Sequence, residues 1–132
     1  MVVSAAAPRA SLLLLAYNQE RYIEEAARSC LAQECEPLEI VFSDDASGDR
    51  THDILTAVAA DYRGPHRVVV RRNETNLGIT GHYNRLMHAS SGELLITAAG
   101  DDTSHRGRAA RLLAAHLAAG SPAFESGVGE EP

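Results

Sequence analysis

Four short apolar runs alternate with stretches of helical spacing, and this alternation leaves the chain one broad architecture. The runs are Ser11 to Ala16, Leu38 to Ser43, Arg67 to Arg71 and Glu93 to Ala98. Each has strand length and is bounded by Gly, Pro, Asn, Asp or Ser. Between the first two, Tyr22, Ile23, Ala26, Ala27, Cys30 and Leu31 recur at helical spacing. Ile54, Leu55, Val58, Ala59 and Tyr62 form a second such stripe. Tyr83, Leu86 and Met87 form a third that predicts inward-facing residues, and Ala109, Leu112, Leu113, His116 and Leu117 a fourth. The order βαβαβαβα predicts a Rossmann-like α/β domain, with a mainly parallel sheet of about four strands flanked by helices.

With 132 residues the chain has room for one domain. The folded unit is expected over residues 11–118. Residues 1–10 read as a flexible N-terminus, and residues 119–132 as a flexible tail or the start of an unfinished strand around Ala123 to Ser126. The net charge of −6 argues against a nucleic-acid partner. All 12 basic residues are Arg, so any mechanism that needs a Lys is excluded. Cys30 falls on an apolar helix face and reads as a buried thiol. No run reaches the ~20 apolar residues of a membrane span, and no signal-peptide pattern is present, which predicts a cytoplasmic setting.

The chemistry sits in two acidic pairs, Asp44-Asp45 and Asp101-Asp102. Each follows a predicted strand, so both should lie at the carboxyl edge of the sheet, where open α/β sheets bind ligands. Acids so gathered repel one another unless a cation or hydrogen-bond donors join them. Asp101 and Asp102, followed by Thr103 and Ser104, offer hard oxygen ligands of the kind Mg²⁺ and Mn²⁺ prefer. Adjacent side chains diverge, which favours one acid on a metal and the other on a sugar hydroxyl. A solvated turn capping the next helix is the plainer reading. An ionised Asp45 only accepts hydrogen bonds and suits a ring N–H or a ribose hydroxyl. Tyr17, after strand one, either packs or covers a base with its ring. Gly78 permits a left-handed backbone or a close ligand approach. His82, His88, His105 and His116 have no metal-ligand spacing.

The ordered series Ala16-Tyr17-Asn18, Glu39-Ile40-Val41, Ser43 to Thr51, Asn76-Leu77-Gly78, Asn84, Ser91-Gly92-Glu93 and Gly100-Asp101-Asp102 resembles family 2 glycosyltransferases, which have the GT-A fold. The resemblance covers roughly Ser11 to Leu117 and corresponds to the family's N-terminal, nucleotide-sugar-binding half. It implies donor contacts from Ala16, Tyr17, Asn18, Asp44, Asp45, Asn76, Gly78, Asn84 and Asp101, with Asp45 reading a pyrimidine ring. It implies Asp102 as the metal ligand and Mg²⁺ or Mn²⁺ as cofactor. The implied reaction is inverting transfer from a nucleotide-diphosphate sugar to an acceptor hydroxyl on a glycan or lipid-linked sugar, in cell-envelope polysaccharide or glycan synthesis. The implied location extends to the inner face of the membrane.

Three departures accompany the resemblance. Ala99 stands where the family has an earlier acid, Arg106 where it has a proline, and the acceptor half with its catalytic base is expected beyond Phe124. No catalytic base is assigned. The alternative reading is a non-catalytic nucleotide- or metal-binding module of the same fold. An uncovered sheet edge also predicts a homodimer or aggregation. A phosphoacceptor receiver domain fails for lack of a Lys and of an acid pair after strand one. The glycine-free segment Ala16 to Arg21 excludes a nucleotidyltransferase loop and a dinucleotide-binding fingerprint.

Overall fold

A computed structural model describes residues 10–90, 92–119 and 124–125. Within it, the alternation resolves as β1 (Ala10–Ala16), α1 (Ile23–Leu31), β2 (Glu39–Asp44), α2 (Thr51–Asp61), β3 (Arg67–Arg72), α3 (Gly78–Ala89), β4 (Leu94–Ala99), α4 (Arg108–Ala119) and β5 (Phe124–Glu125). The sheet order is β3-β2-β1-β4-β5, and every neighbouring pair is parallel. The four expected strands are present within one or two residues. The two residues of β5 pair with Leu95 and Ile96. Of the segments expected to be flexible, 1–10 and 119–132, residues 1–9, 120–123 and 126–132 lie outside the described residues, while Ala10 belongs to β1 and Ala119 to α4.

The leucine run of β1 is buried on both faces because the strand is central and flanked on both sides. Leu12, Leu14 and Ala16 point to the larger core, with Ile40, Phe42 and Ile96 from the neighbouring strands. That face is covered by α1, α2 and α4 through Ile23, Ala26, Cys30, Leu55, Val58, Ala109 and Leu113. Leu13 and Val41 point the other way and meet Leu86 of α3, with Leu15, Val69 and Leu95 beside them. Three helices thus pack on one face and one on the other.

The thinner layer explains a misreading of the third stripe. Leu86 is buried, but Met87 is exposed rather than inward, because among the described residues α3 has no second helix beside it. Leu117, near the end of α4, is exposed for a similar reason: it lies outside the contact that buries Leu113. Cys30 is fully buried, as expected, and burial pushes its thiol up to about 12 despite the nearby Arg108 and Ser104.

Gly92 enters β4 against the start of β1. A Cβ there would lie 2.5 Å from the Ser11 amide nitrogen and 2.6 Å from the Ala10 carbonyl carbon. Neither backbone atom can move without shifting the central strand. Gly92→Ala is therefore expected to destabilise the fold by about 1–3 kcal/mol, read as a lower urea midpoint at unchanged slope.

Candidate functional site

The parallel register carries both acidic pairs to one edge. Asp44 is the cross-strand partner of Ala16, and Ala99 that of Leu15. The strands' exits are then stitched to consecutive carbonyls of β1. The Asp45 amide donates to Ala16 O at 2.9 Å, and the Gly100 amide to Leu15 O at 3.0 Å. The pairs thus leave from the two neighbours of one strand, roughly 10 Å apart by sheet spacing. Gly100 permits the second exit: a Cβ there would stand 2.3 Å from Gln19 Oε1 and 3.1 Å from the Ala16 Cβ.

A cavity of about 560 Å³ opens at this edge, on the face that only α3 covers. Its walls are Leu15 to Tyr17 and Gln19 from β1 and its exit, Thr97 to Ala99 from β4, and Gly78, Ile79, His82 and Tyr83 from α3. Asp45 and Asn76 complete it. Of the residues anticipated for donor binding, Ala16, Tyr17, Asp45, Asn76 and Gly78 line the cavity. Asn18, Asp44, Asn84 and Asp101 do not, nor does Asp102, the anticipated metal ligand.

Asp44 is engaged locally. Its side chain is wholly buried, accepts from the Ser47 amide at 2.9 Å and from the Ser47 hydroxyl, and faces Arg72 Nε at 3.4 Å. Asn18 also works on the scaffold. Its amide donates to Ser47 Oγ at 2.8 Å, and its Oδ1 accepts from the Gly48 amide at 2.8 Å. The same zip continues as the Gln19 amide donates to Thr51 Oγ1. Positive φ values at Asn18 (51°) and Ala46 (62°) accompany these turns.

Asp45 is the centre of the site. It is 3 % exposed, and its oxygens accept from Asn73 Nδ2 (2.8 Å), the Leu77 amide (2.9 Å) and the Gly78 amide (3.0 Å). The last two amides open α3 and have no carbonyl partner within the helix. Asp45 therefore caps α3 from another strand, at the helix end whose dipole favours an anion. Burial alone would raise its pKa. The hydrogen bonds from Leu77, Asn73 and Gly78, with His82 nearby, outweigh that and hold it below the usual carboxylate value. Gly78 adopts φ +79°, which lets the chain turn into the helix directly beneath the carboxylate.

Asp101 and Asp102 lie on the exposed turn after β4. The Asp102 amide donates to Ala99 O at 3.2 Å, and its Oδ1 accepts from the Thr103 amide at 2.9 Å. The turn is braced from behind by the end of α1. Ser29 Oγ accepts from the Ser104 amide at 2.9 Å, Gln33 Nε2 donates to His105 O at 2.8 Å, and Gln33 Oε1 accepts from the Ala109 amide at 2.9 Å. His105 turns inward on its own loop, accepting from the Gly107 amide. Among the described residues no group of three His, Cys, Asp or Glu could hold a metal ion unaided. The exposed pair fits a divalent ion whose other ligands come from a phosphate-bearing molecule, since Mg²⁺ commonly takes one or two carboxylates and completes its shell elsewhere.

Gln19, His82, Tyr83 and Thr97 also line the cavity and were not singled out from the sequence. For Tyr83 the apolar stripe was the visible signal, and it pointed to the core. His82 carried no metal-ligand spacing, and only its place one turn into α3 after Gly78 could have marked it.

The match to known proteins agrees with this architecture. Residues 11–123 match the family model described as glycosyl transferase family 2, and the chain belongs to that family. It is 39% identical over 93 residues to the Mycobacterium tuberculosis protein Rv1520, covering 70% of this chain and 26% of that one. S. aureus TarS 1–349 in complex with UDP-GlcNAc superposes with a TM-score of 0.68 at 26% identity, over 84% of this chain and 31% of that one. The mannosyltransferase PcManGT from Pyrobaculum calidifontis, in complex with GDP-Man and Mn²⁺, gives 0.69 at 22% identity over 77% and 30%, a likeness of fold alone. The chain spans about a quarter to a third of the length of these proteins. Among the described residues no helix is long and apolar enough to cross a membrane.

Because the folded pKa of Asp45 lies below the unfolded carboxylate value, its contribution to stability is present above about pH 4 and lost as pH falls through the folded value. Asp45→Asn keeps the shape but turns an NH₂ group toward amide donors. It is expected to cost about 1–3 kcal/mol at pH 7 and to flatten the acid limb of the stability curve, as measured by urea titration from pH 7 to pH 3.

Proposed function

We propose that this chain is the donor-binding portion of an inverting glycosyltransferase that holds a uridine-diphosphate sugar at the carboxyl edge of its sheet. The observation that carries this reading is the state of Asp45. A carboxylate has about four lone-pair positions, and three are taken by Asn73, Leu77 and Gly78. The one left, on Oδ2, suits a single ring N–H, as in uracil. Guanine presents two adjacent N–H groups and would draw on both oxygens, one of which is already filled. The binding of UDP-GlcNAc by TarS supports the same choice.

In this reading the base enters the cavity beside Tyr17, and the diphosphate runs toward the turn at Asp101 and Asp102. Asp102 would hold Mg²⁺ or Mn²⁺, which supplies charge stabilisation to the departing diphosphate when bound. Asp101, held on the same turn, accepts from donor hydroxyls. Tyr17 covers one face of the base, and Gly78 and Asn76 shape the opposite rim. The acceptor is a hydroxyl of a glycan or lipid-linked sugar, the setting cell-envelope or glycan synthesis in the cytoplasm.

Transfer needs a general base on the far side of the sugar. The one carboxylate in the cavity wall is Asp45, whose lone pairs are largely committed. This favours a second reading for the 132 residues taken alone: a binding module that carries the donor without transferring it. Calorimetry with UDP separates these readings from the rest. Binding should strengthen at least tenfold on adding Mn²⁺, and Asp102→Asn should remove that increment while leaving metal-free binding unchanged. Failure of UDP to bind in the presence of Mn²⁺ sinks the donor assignment. Donor binding without sugar transfer to any acceptor leaves the module reading in possession.

A further inference from the structure

The cavity wall contains one imidazole, His82, for which donor binding as described has no use. The side chain is 3 % exposed and reaches from α3 to the end of β2, where Nε2 lies 2.7 Å from Ser43 Oγ. Ser43 is wholly buried, so its hydroxyl fixes the ring rather than tethering it loosely. Nδ1 makes no hydrogen bond to any described residue. Burial favours the neutral ring and lowers its pKa, an effect that Asp45 and Asp44 oppose and Arg71 reinforces. Asp45 and His82 both stand in the wall of this cavity, and each acts electrostatically on the other.

A neutral imidazole carries one proton, and the partner of one nitrogen decides where it sits. The Nε2–Oγ contact fits either tautomer, and the one in which the Ser43 hydroxyl donates to Nε2 carries the ring proton on Nδ1. The wall then offers an acceptor, Asp45 Oδ2, beside a donor, His82 Nδ1–H. We propose that the Ser43–His82 pair is a base-reading element: Nδ1–H donates to a ring carbonyl of uracil while Asp45 accepts the neighbouring ring N–H. This rests on the donor reading above and adds to it a second contact and a reason for base choice. Cytosine has no ring N–H between its polar positions and would leave the Asp45 lone pair facing another acceptor. Leu15, Ala98 and Tyr83 leave much of the remaining wall apolar, as a flat ring requires.

The test uses calorimetry in Mn²⁺ with UDP, 2-thio-UDP and 4-thio-UDP, because sulfur is a weak hydrogen-bond acceptor. The wild-type chain is expected to bind one of the two thio nucleotides about five- to tenfold more weakly than UDP, the loss of one hydrogen bond, and the other as tightly as UDP. His82→Phe should bind UDP weaker by the same factor and no longer distinguish the three. Since His82 is buried, the comparison on unmodified protein stands even if the variant does not fold. Equal binding of all three by the wild type, or equal loss with both analogues, overturns the role of His82 and leaves the donor reading intact. Absence of UDP binding by the wild type overturns both.

Discussion

The site depends on a buried negative charge shared between a strand end and a helix start. Placing Asp45 in the interior would be costly without partners. The two amides that open α3 are themselves orphans that need an acceptor. Each deficiency is met by the other: the carboxylate gains donors, and the helix gains a cap from 32 and 33 residues earlier in the chain. α3 carries no side-chain cap of its own, and its first residue is a glycine in a left-handed conformation. Without the carboxylate, α3, the only helix on its face of the sheet among the described residues, would have little to fix its entry, and the cavity would lose a wall.

Around that contact the adjacent acids divide the labour by direction. Successive side chains at a strand end point to opposite sides. Asp44 turns under the loop at Ser47 and Arg72, and Asp45 turns toward α3 and the cavity. The hydrogen bonds linking the exit of β1 to the 47–51 segment make the two loops one piece. The turn at Asp101 is held by different means, through Ser29 and Gln33 at the end of α1. One part of the sheet edge is thus braced through contacts between neighbouring loops, and the other through a helix on the opposite face.

The strands and helices were legible because period and length agreed in each segment, and the convergence of the acidic pairs followed from parallel strands with β1 between them. Asp45 was legible as an important acid, but not as a cap. Its amide partners at Leu77 and Gly78 carry no side-chain signature, since any residue has an N–H. The loop-bracing bonds of Asp44 and Asn18 were not legible, because ligand contacts and loop-bracing residues draw on the same polar types. Met87 and Tyr83 read as core because helical spacing reports a stripe without reporting how much of the opposing surface is there to cover it. On the three-helix face the same inference held for most of each stripe, with Tyr22 ahead of α1 and Leu117 near the end of α4 left exposed.

Because one carboxylate both terminates α3 and borders the cavity, occupancy of the pocket and docking of the helix are thermodynamically linked. Any molecule drawing on the remaining lone pair changes how firmly the Leu77 and Gly78 amides are held, and the docked helix changes the affinity for that molecule by the same factor. The first turn of α3, with Ile79 almost fully exposed at the mouth, is accordingly the part of the fold whose order should respond to the pocket's contents.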